Sequence, residues 1–430
     1  MTLILYRAPD FLVRFAKTKG SPVCMVTFSS LTDDPRLDRP GFGEAMLMKN
    51  GIDAIHVINR TNIWYQYPEF PEALRVIAAA AAGHERIITY GSSMGGYAAI
   101  RFAGVIGAGT AIAISPQYSV SPRLAPFETR WRPLTRTIRF LHEHVGQEDG
   151  AVEPIVFYDP RDRDAEHFRL IGRAYPNAKG IRLPHAGHPA GAFLNETGLL
   201  VPAILDIAHG KFDPAVLEQT ARASRRSSGQ YLFTLARRLP PHHFNVKIRL
   251  AEMATHATDD AAYHIYLARL SERARDFTAS ARQLKKANDV LPEHPVPMRA
   301  LCTFLLRREN YEEAVSLARK LAAIDPTRED FALLLLAALL GHREFELAAR
   351  LGRDPVISQH ALRLLPAFAK APLILRGLRP LFLAWLDRRV RLLKELDSLE
   401  EYRRPRRTFK VWRHLAGAGT SRHWGSPPGD

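Results

Sequence analysis

The segment Arg86-Ile87-Ile88-Thr89-Tyr90-Gly91-Ser92-Ser93-Met94-Gly95-Gly96-Tyr97-Ala98-Ala99-Ile100-Arg101 decides how the first half of the chain must fold. Its first five residues are apolar and partly β-branched, which predicts a buried strand, and the run 96–103 predicts the start of a helix. Between them lies G-x-S-x-G, with Ser93 flanked by Gly91 and Gly95. Small residues two before and two after a serine suit a sharp strand-to-helix turn, where the serine takes a strained backbone conformation and its neighbours crowd adjacent chain. Such a turn holds the hydroxyl out toward a substrate. Without that setting the pentapeptide is only Gly-Ser punctuation, so the rest of the chain must supply a base and an acid in the right order.

Working outward, the apolar run 22–28 suits a strand buried on both faces and ends in Ser29-Ser30. A polar loop, a short helix at 44–48, a strand at 52–58 and a helix over 72–82 lead to the central segment. A strand at 110–114 follows it. The stretch 118–150 then breaks the rhythm, being rich in Pro, Arg and aromatics (Phe127, Trp131, Phe140), with a helical patch at 138–141. An insertion of this length suits a lid or substrate-binding segment. The pattern resumes with a strand at 154–158, the turn Asp159-Pro160-Arg161-Asp162-Arg163-Asp164, a helix over 168–174, a strand at 180–183, the loop Pro184-His185-Ala186-Gly187-His188-Pro189, and a helix to about 209. Strands alternating with helices at this spacing imply a parallel sheet with right-handed crossovers, and sites in such sheets form at the carboxyl ends of the strands.

With the serine turn in mid-sheet, an acidic turn after a later strand and a Gly-His pair after the last one, residues 1–210 resemble an α/β-hydrolase, whose triad runs Ser, Asp, His along the chain. The resemblance implies Ser93 as nucleophile and His188, which follows Gly187, as general base, with His185 as its rival. Matching the strand onto the family pattern puts Asp162 at the acid position, with Asp164 and Asp159 as alternatives and Asp159 also suited to shaping the turn. The acid must fix the imidazole tautomer and stabilise the imidazolium. The oxyanion donors implied are the backbone N–H of Met94 and one from Ser29 or Ser30. Many members carry a His-Gly pair at that early loop, and Phe28-Ser29 stands in its place here. The aromatic stretch after the 52–58 strand gives Trp64 and Tyr67 two readings, a wall for the substrate or a cap on the core beside the serine turn. No metal and no cofactor are expected.

Beyond residue 210 strand patterns give way to helix formers, and a 34-residue period emerges. Leu267, Leu301 and Leu335 are in phase, as are Phe277, Tyr311 and Phe345, Pro292 and Pro326, and Ala314 and Ala348. Ser280 occupies the position that Ala holds in the later copies. The segments 261–295, 296–328 and 329–355 resemble tetratricopeptide repeats, helix pairs that bury their apolar faces only by stacking. The organisation expected is therefore an α/β-hydrolase domain over 1–210 with its insertion at 118–150, an all-α repeat domain over 211–400, and a basic, partly disordered tail over 401–430. The resemblance implies that the repeats either bind a protein partner or support the hydrolase half.

Composition sets outer bounds. An apolar fraction of 46% and a charged fraction of 24% are ordinary for a globular protein. The two cysteines, Cys24 and Cys302, make neither a disulfide framework nor a metal motif. Of the net +16, the stretch 350–430 contributes +10, from 17 Lys/Arg against 7 Asp/Glu. That concentration suggests a basic region meeting an anionic surface, such as a membrane face touched by 364–370 and 381–389, rather than a nucleic-acid-binding core. No leader or spanning segment is evident, so a cytoplasmic protein is expected, peripheral to the inner membrane face where the basic region makes contact. Three functions follow from these residues. One is a serine hydrolase of a small-molecule or glycan ester or thioester, one an acyltransferase acylating a glycan or protein hydroxyl with the same triad, and one a scaffold whose hydrolase half is inactive.

Overall fold

The computed structural model describes residues 2–143, 151–342 and 344–351. The chain divides into two compact units, one running to Thr258 and the other beginning at Asp259.

The first unit is built on eight strands, β1 (Thr2–Arg7), β2 (Phe11–Ala16), β3 (Val23–Phe28), β4 (Asp53–Asn59), β5 (Arg86–Ser92), β6 (Thr110–Ile114), β7 (Glu153–Tyr158) and β8 (Lys179–Arg182). They lie in the order β1-β2-β4-β3-β5-β6-β7-β8, with β2 antiparallel to both of its neighbours, β1 and β4, and the remaining pairs parallel. This is the α/β-hydrolase fold. The hairpin β1–β2 was not expected, and its turn lies at Pro9-Asp10, closed by Ala8 N–H donating to Phe11 O at 3.0 Å. Because side chains alternate across a strand, β3 sends Cys24, Val26 and Phe28 to one core and Val23 and Met25 to another. Helices cover both faces, so neither needs polar residues, which explains the unbroken apolar runs.

Registers align the strand ends along one edge. Phe28 lies opposite Gly91, Ser92 opposite Ile114, Ile114 opposite Phe157, and Tyr158 opposite Arg182. The segments that begin at Ser29, Ser93, Ser115, Asp159 and Leu183 therefore all leave the sheet on its carboxyl side.

Two expectations need correction. The patch 138–141 is not helical, and the insertion's helix is the four-residue Arg132–Thr135. The reason lies in the backbone, since the amides of Leu141 and His142 both donate to Gln66 Oε1 at 2.7 Å and cannot serve a helical ladder. The first unit also extends past 210 to include the helices Pro214–Ser224, Gly229–Arg238 and Phe244–Ala257. Leu217 and Ala221 join the core of Ile181 and Phe193, and Gln230 Nε2 donates to Ala186 O at 3.0 Å, which ties these helices to the sheet.

In the second unit the first helices of successive pairs begin at Ala261, Pro295 and Glu329, and the second helices at Phe277, Tyr311 and Phe345. Both series step by 34 residues, a tetratricopeptide-like array. Equivalent positions Ala268, Cys302 and Leu336 are buried, as are Ser280, Ala314 and Ala348. Both cysteines are free, and burial pushes each thiol up to about 12. The last part of the third repeat, the apolar-basic stretches 364–370 and 381–389, and the tail 401–430 lie outside the described residues. Among the described residues no helix is long and apolar enough to cross a membrane.

Candidate active site

Ser93 sits between β5 and the helix Met94–Arg101 with φ 51° and ψ −116°. Crowding imposes that turn. A Cβ on Gly91 would lie 2.2 Å from the Gly95 carbonyl oxygen, and one on Gly95 would lie 2.2 Å from Phe28 O. Only glycine fits either position: the first contact closes the turn on itself, and the second presses it onto the end of β3. Ser93 N–H donates to Ile114 O at 2.8 Å, so the strained residue remains paired to β6.

The Ser93 hydroxyl lies 3.0 Å from His188 Nε2, and His188 Nδ1 lies 3.0 and 2.9 Å from the two carboxylate oxygens of Asp164. A carboxylate only accepts, so the imidazole carries its proton on Nδ1 and leaves Nε2 to accept from the serine. Burial alone would raise the Asp164 pKa, but His188, Arg130 and the Ser115 hydroxyl together hold its carboxyl well below the usual carboxylate range. Arg130 contacts it directly, with Nη2 at 3.0 Å from Oδ1. The same guanidinium pairs with Glu128 at 2.7 Å and with Asp162 at 3.1 Å.

The three aspartates of the turn thus have three positions. Asp164, the first residue of the helix Asp164–Ala174, meets His188. Asp162, expected to do so, instead accepts from Arg130 Nη1 and Arg238 Nη2, each at 3.1 Å, and does not meet the imidazole. Asp159 organises the histidine loop, accepting from the amides of His185 at 3.1 Å and Gly187 at 2.9 Å and from Arg238 Nη1 at 2.7 Å. The rival His185 faces Tyr231, with ring centroids 5.8 Å apart, and is not brought to Ser93.

The amide of Met94 opens the helix after Ser93. Of the two serines after β3, Ser29 spends its amide on Val57 O at 3.1 Å, while Ser30 anchors its hydroxyl to Ser92 O at 2.8 Å. Tyr67 is enclosed in a cluster with Phe11 and Phe70, so the core reading holds for it. Trp64 is buried but turned toward the site, where its Nε1–H donates to Gln117 Oε1 at 3.0 Å. The insertion adds Trp131, whose ring centroid lies 6.0 Å from those of both Trp64 and His188.

Gln117, Arg130 and Arg238 escaped sequence reasoning. Gln117 alone had a usable signal, since it lies three residues beyond the carboxyl end of β6, beside the serine turn. Among the described residues no His/Cys/Asp/Glu cluster is arranged to hold a metal.

The chain matches no family model, and no curated protein is similar to it in sequence. Among solved structures it is similar over 49% of its length to Est1E from Butyrivibrio proteoclasticus, with 98% of that chain covered, 13% identity and a TM-score of 0.34. It is similar over 42% to the capsule O-acetyltransferase of Neisseria meningitidis serogroup A, with 85% of that chain covered, 11% identity and a TM-score of 0.32. The MamA RS-1 ArsTM double mutant matches over 45%, with 97% of that chain covered, 15% identity and a TM-score of 0.30. At these identities the likenesses concern the path of the chain and bear on neither reaction nor substrate.

Proposed function

We propose that the first unit is a serine hydrolase that cleaves an ester or thioester through an acyl-enzyme on Ser93. The observation that supports this best is the continuous relay from Ser93 Oγ through His188 to buried Asp164, on a serine held at positive φ. In the proposed reaction Oγ attacks the acyl carbon while its proton passes to His188 Nε2. The carbonyl electron pair moves onto oxygen, which the amides of Met94 and Ser30 receive. Collapse expels the alcohol or thiol, which takes the proton from His188, and water then repeats the sequence to release the acid. Asp164 holds the imidazole tautomer and stabilises the imidazolium, while Arg130 and Ser115 keep that carboxylate ionised.

One observation favours transfer to a hydroxyl acceptor as a second reading. Trp131 lies against His188, whose side chain is 10% exposed, so the base is largely shielded from bulk water. An acceptor bound against the tryptophan would then compete with water for the acyl group.

The test is covalent labelling with a fluorophosphonate, comparing the wild type with Ser93→Ala and His188→Ala after circular dichroism has established that each is folded. Labelling of the wild type and its loss in both variants is expected. An unlabelled wild type would sink both enzyme readings and leave the scaffold. Following a radiolabelled acyl group to water or to an added glycan distinguishes hydrolysis from transfer.

A further inference from the structure

Gln117 Nε2 lies 3.2 Å from Ser93 Oγ, and the residue is 1% exposed. A glutamine amide presents a donor on one side and an acceptor on the other, so its orientation decides its chemistry. Here Trp64 settles it. The indole Nε1–H can only donate, and it meets Gln117 Oε1 at 3.0 Å, which turns the amide nitrogen toward the serine. Trp64 is itself 1% exposed and packed at φ 52° within the aromatic core. Its direction is therefore set by the fold and not by the ligand.

Ser93 Oγ gives its proton to His188 and receives Gln117 Nε2–H on another side. When Oγ attacks an acyl carbon, its electron density moves into the new bond and it becomes a weaker acceptor for Gln117. The negative charge appears on an oxygen attached to that same carbon, two bonds from Oγ. A donor already within hydrogen-bond reach of Oγ stands beside the place where this charge develops, preorganised and out of bulk water. Of the early loop only the Ser30 amide is left for this role, since the Ser29 amide is committed to Val57 O.

We infer that Gln117 is a catalytic residue, a side-chain oxyanion donor that supplements the Met94 and Ser30 amides, and that Trp64 is its positioning residue. The inference rests on the Ser93 acyl-enzyme proposed above. No atom is transferred to or from Gln117. Its N–H exchanges the Oγ acceptor for the oxyanion as the tetrahedral adduct forms and returns to Oγ when that adduct has collapsed and the acyl-enzyme is resolved.

Two variants separate this role from packing. Gln117→Met keeps the volume and loses the donor. Gln117→Glu keeps the acceptor for Trp64 but presents an oxygen to Ser93, and it serves alone if the methionine variant fails to fold. The readouts are the second-order rate of Ser93 labelling by a fluorophosphonate and the protection that phenylboronic acid, whose serine adduct is tetrahedral and anionic, gives against that labelling. Each variant is expected to slow labelling by on the order of 100-fold and to weaken boronate protection by a similar factor, the scale seen when one oxyanion donor is lost. Trp64→Phe, which frees the amide to flip, is expected to lose roughly fivefold in both, the worth of one neutral hydrogen bond. Wild-type rates in folded Gln117 variants would overturn the inference, as would slow labelling with unchanged boronate protection. A wild type that is not labelled at Ser93 would instead remove the acyl-enzyme reading, and this role with it.

Discussion

At the carboxyl edge of the sheet no two functional positions are alike, whereas in the helical repeats equivalent positions recur every 34 residues. The edge draws Ser93, Gln117, Asp164 and His188 from four separate strand ends, and each is placed by contacts that no other residue shares. The repeats place Ala268, Cys302 and Leu336 by one rule applied three times, namely the volume available where neighbouring helices stack. Substitutions should therefore act specifically and unequally at the edge, but by size and polarity alone in the repeats.

The largest effect should come from separating the aspartates that the edge distinguishes. Asp164→Asn keeps the shape but presents the wrong hydrogen-bond pattern to His188 Nδ1, and it is expected to slow Ser93 labelling on the order of 10⁴-fold. Asp162→Asn, two residues away, breaks links to Arg130 and Arg238 and leaves the imidazole contact intact, so a loss within about tenfold is expected. Labelling kinetics of the two variants decide the matter, and equal losses would dissolve the division of labour drawn within this turn.

That division also marks where the sequence stopped being informative. Strands β3 to β7 were legible because each is a short, largely apolar run bounded by turn residues, and Ser93 and His188 because their glycines carry local signatures. The acid was not legible. Asp159, Asp162 and Asp164 share one turn, and which of them faces the histidine depends on Arg130 from the insertion and Arg238 from a helix 74 residues beyond Asp164. Gln117 lacks any motif, since its role comes from Trp64, 53 residues earlier. The hairpin β1–β2 was not legible because Arg14 interrupts the apolar run of β2 and β1 is largely exposed. The repeats were the opposite case. Periodicity is itself a sequence property, so the helix starts followed from it.

A middle-sized effect is expected from pH. Glu128 is buried; burial alone would raise its carboxyl, yet its hydrogen bonds with His167 and Arg130 bring it down to about 2. His167 accepts the Tyr118 amide on Nδ1 and so donates from Nε2 to Glu128, and its own burial lowers its pKa, which keeps it neutral. A carboxyl depressed in the folded state stabilises fully above its unfolded value of about 4 and loses that contribution as pH falls through its folded value. Thermal melting of the wild type should therefore drop between about pH 4 and pH 2. Glu128→Gln should melt lower at neutral pH and change less across that window, because it no longer has that proton to take up. Parallel curves would show that Glu128 does not carry the acid sensitivity of the edge.

The smallest effect tests the repeats. Ser280 is in phase with Ala314 and Ala348, and all three are fully buried. Its Oγ, like that of Thr303 nearby, finds no protein partner among the described residues, and both hydroxyls line a cavity of about 40 Å³. An unpaired buried hydroxyl carries a desolvation penalty, and a cavity of this size admits a water that relieves part of it. Ser280→Ala removes the penalty at the cost of one small polar atom and restores the residue of the other two repeats. Urea denaturation of the variant should show the repeats stabilised by a few tenths to about 1 kcal/mol. Ser93 labelling should not change, because Ser280 belongs to the other unit. A destabilised variant would mean that the hydroxyl of Ser280, hydrated in this cavity, is worth more than the alanine that the period calls for. The rule of interchangeable positions would then fail at Ser280, where the repeat would be as individual as the edge.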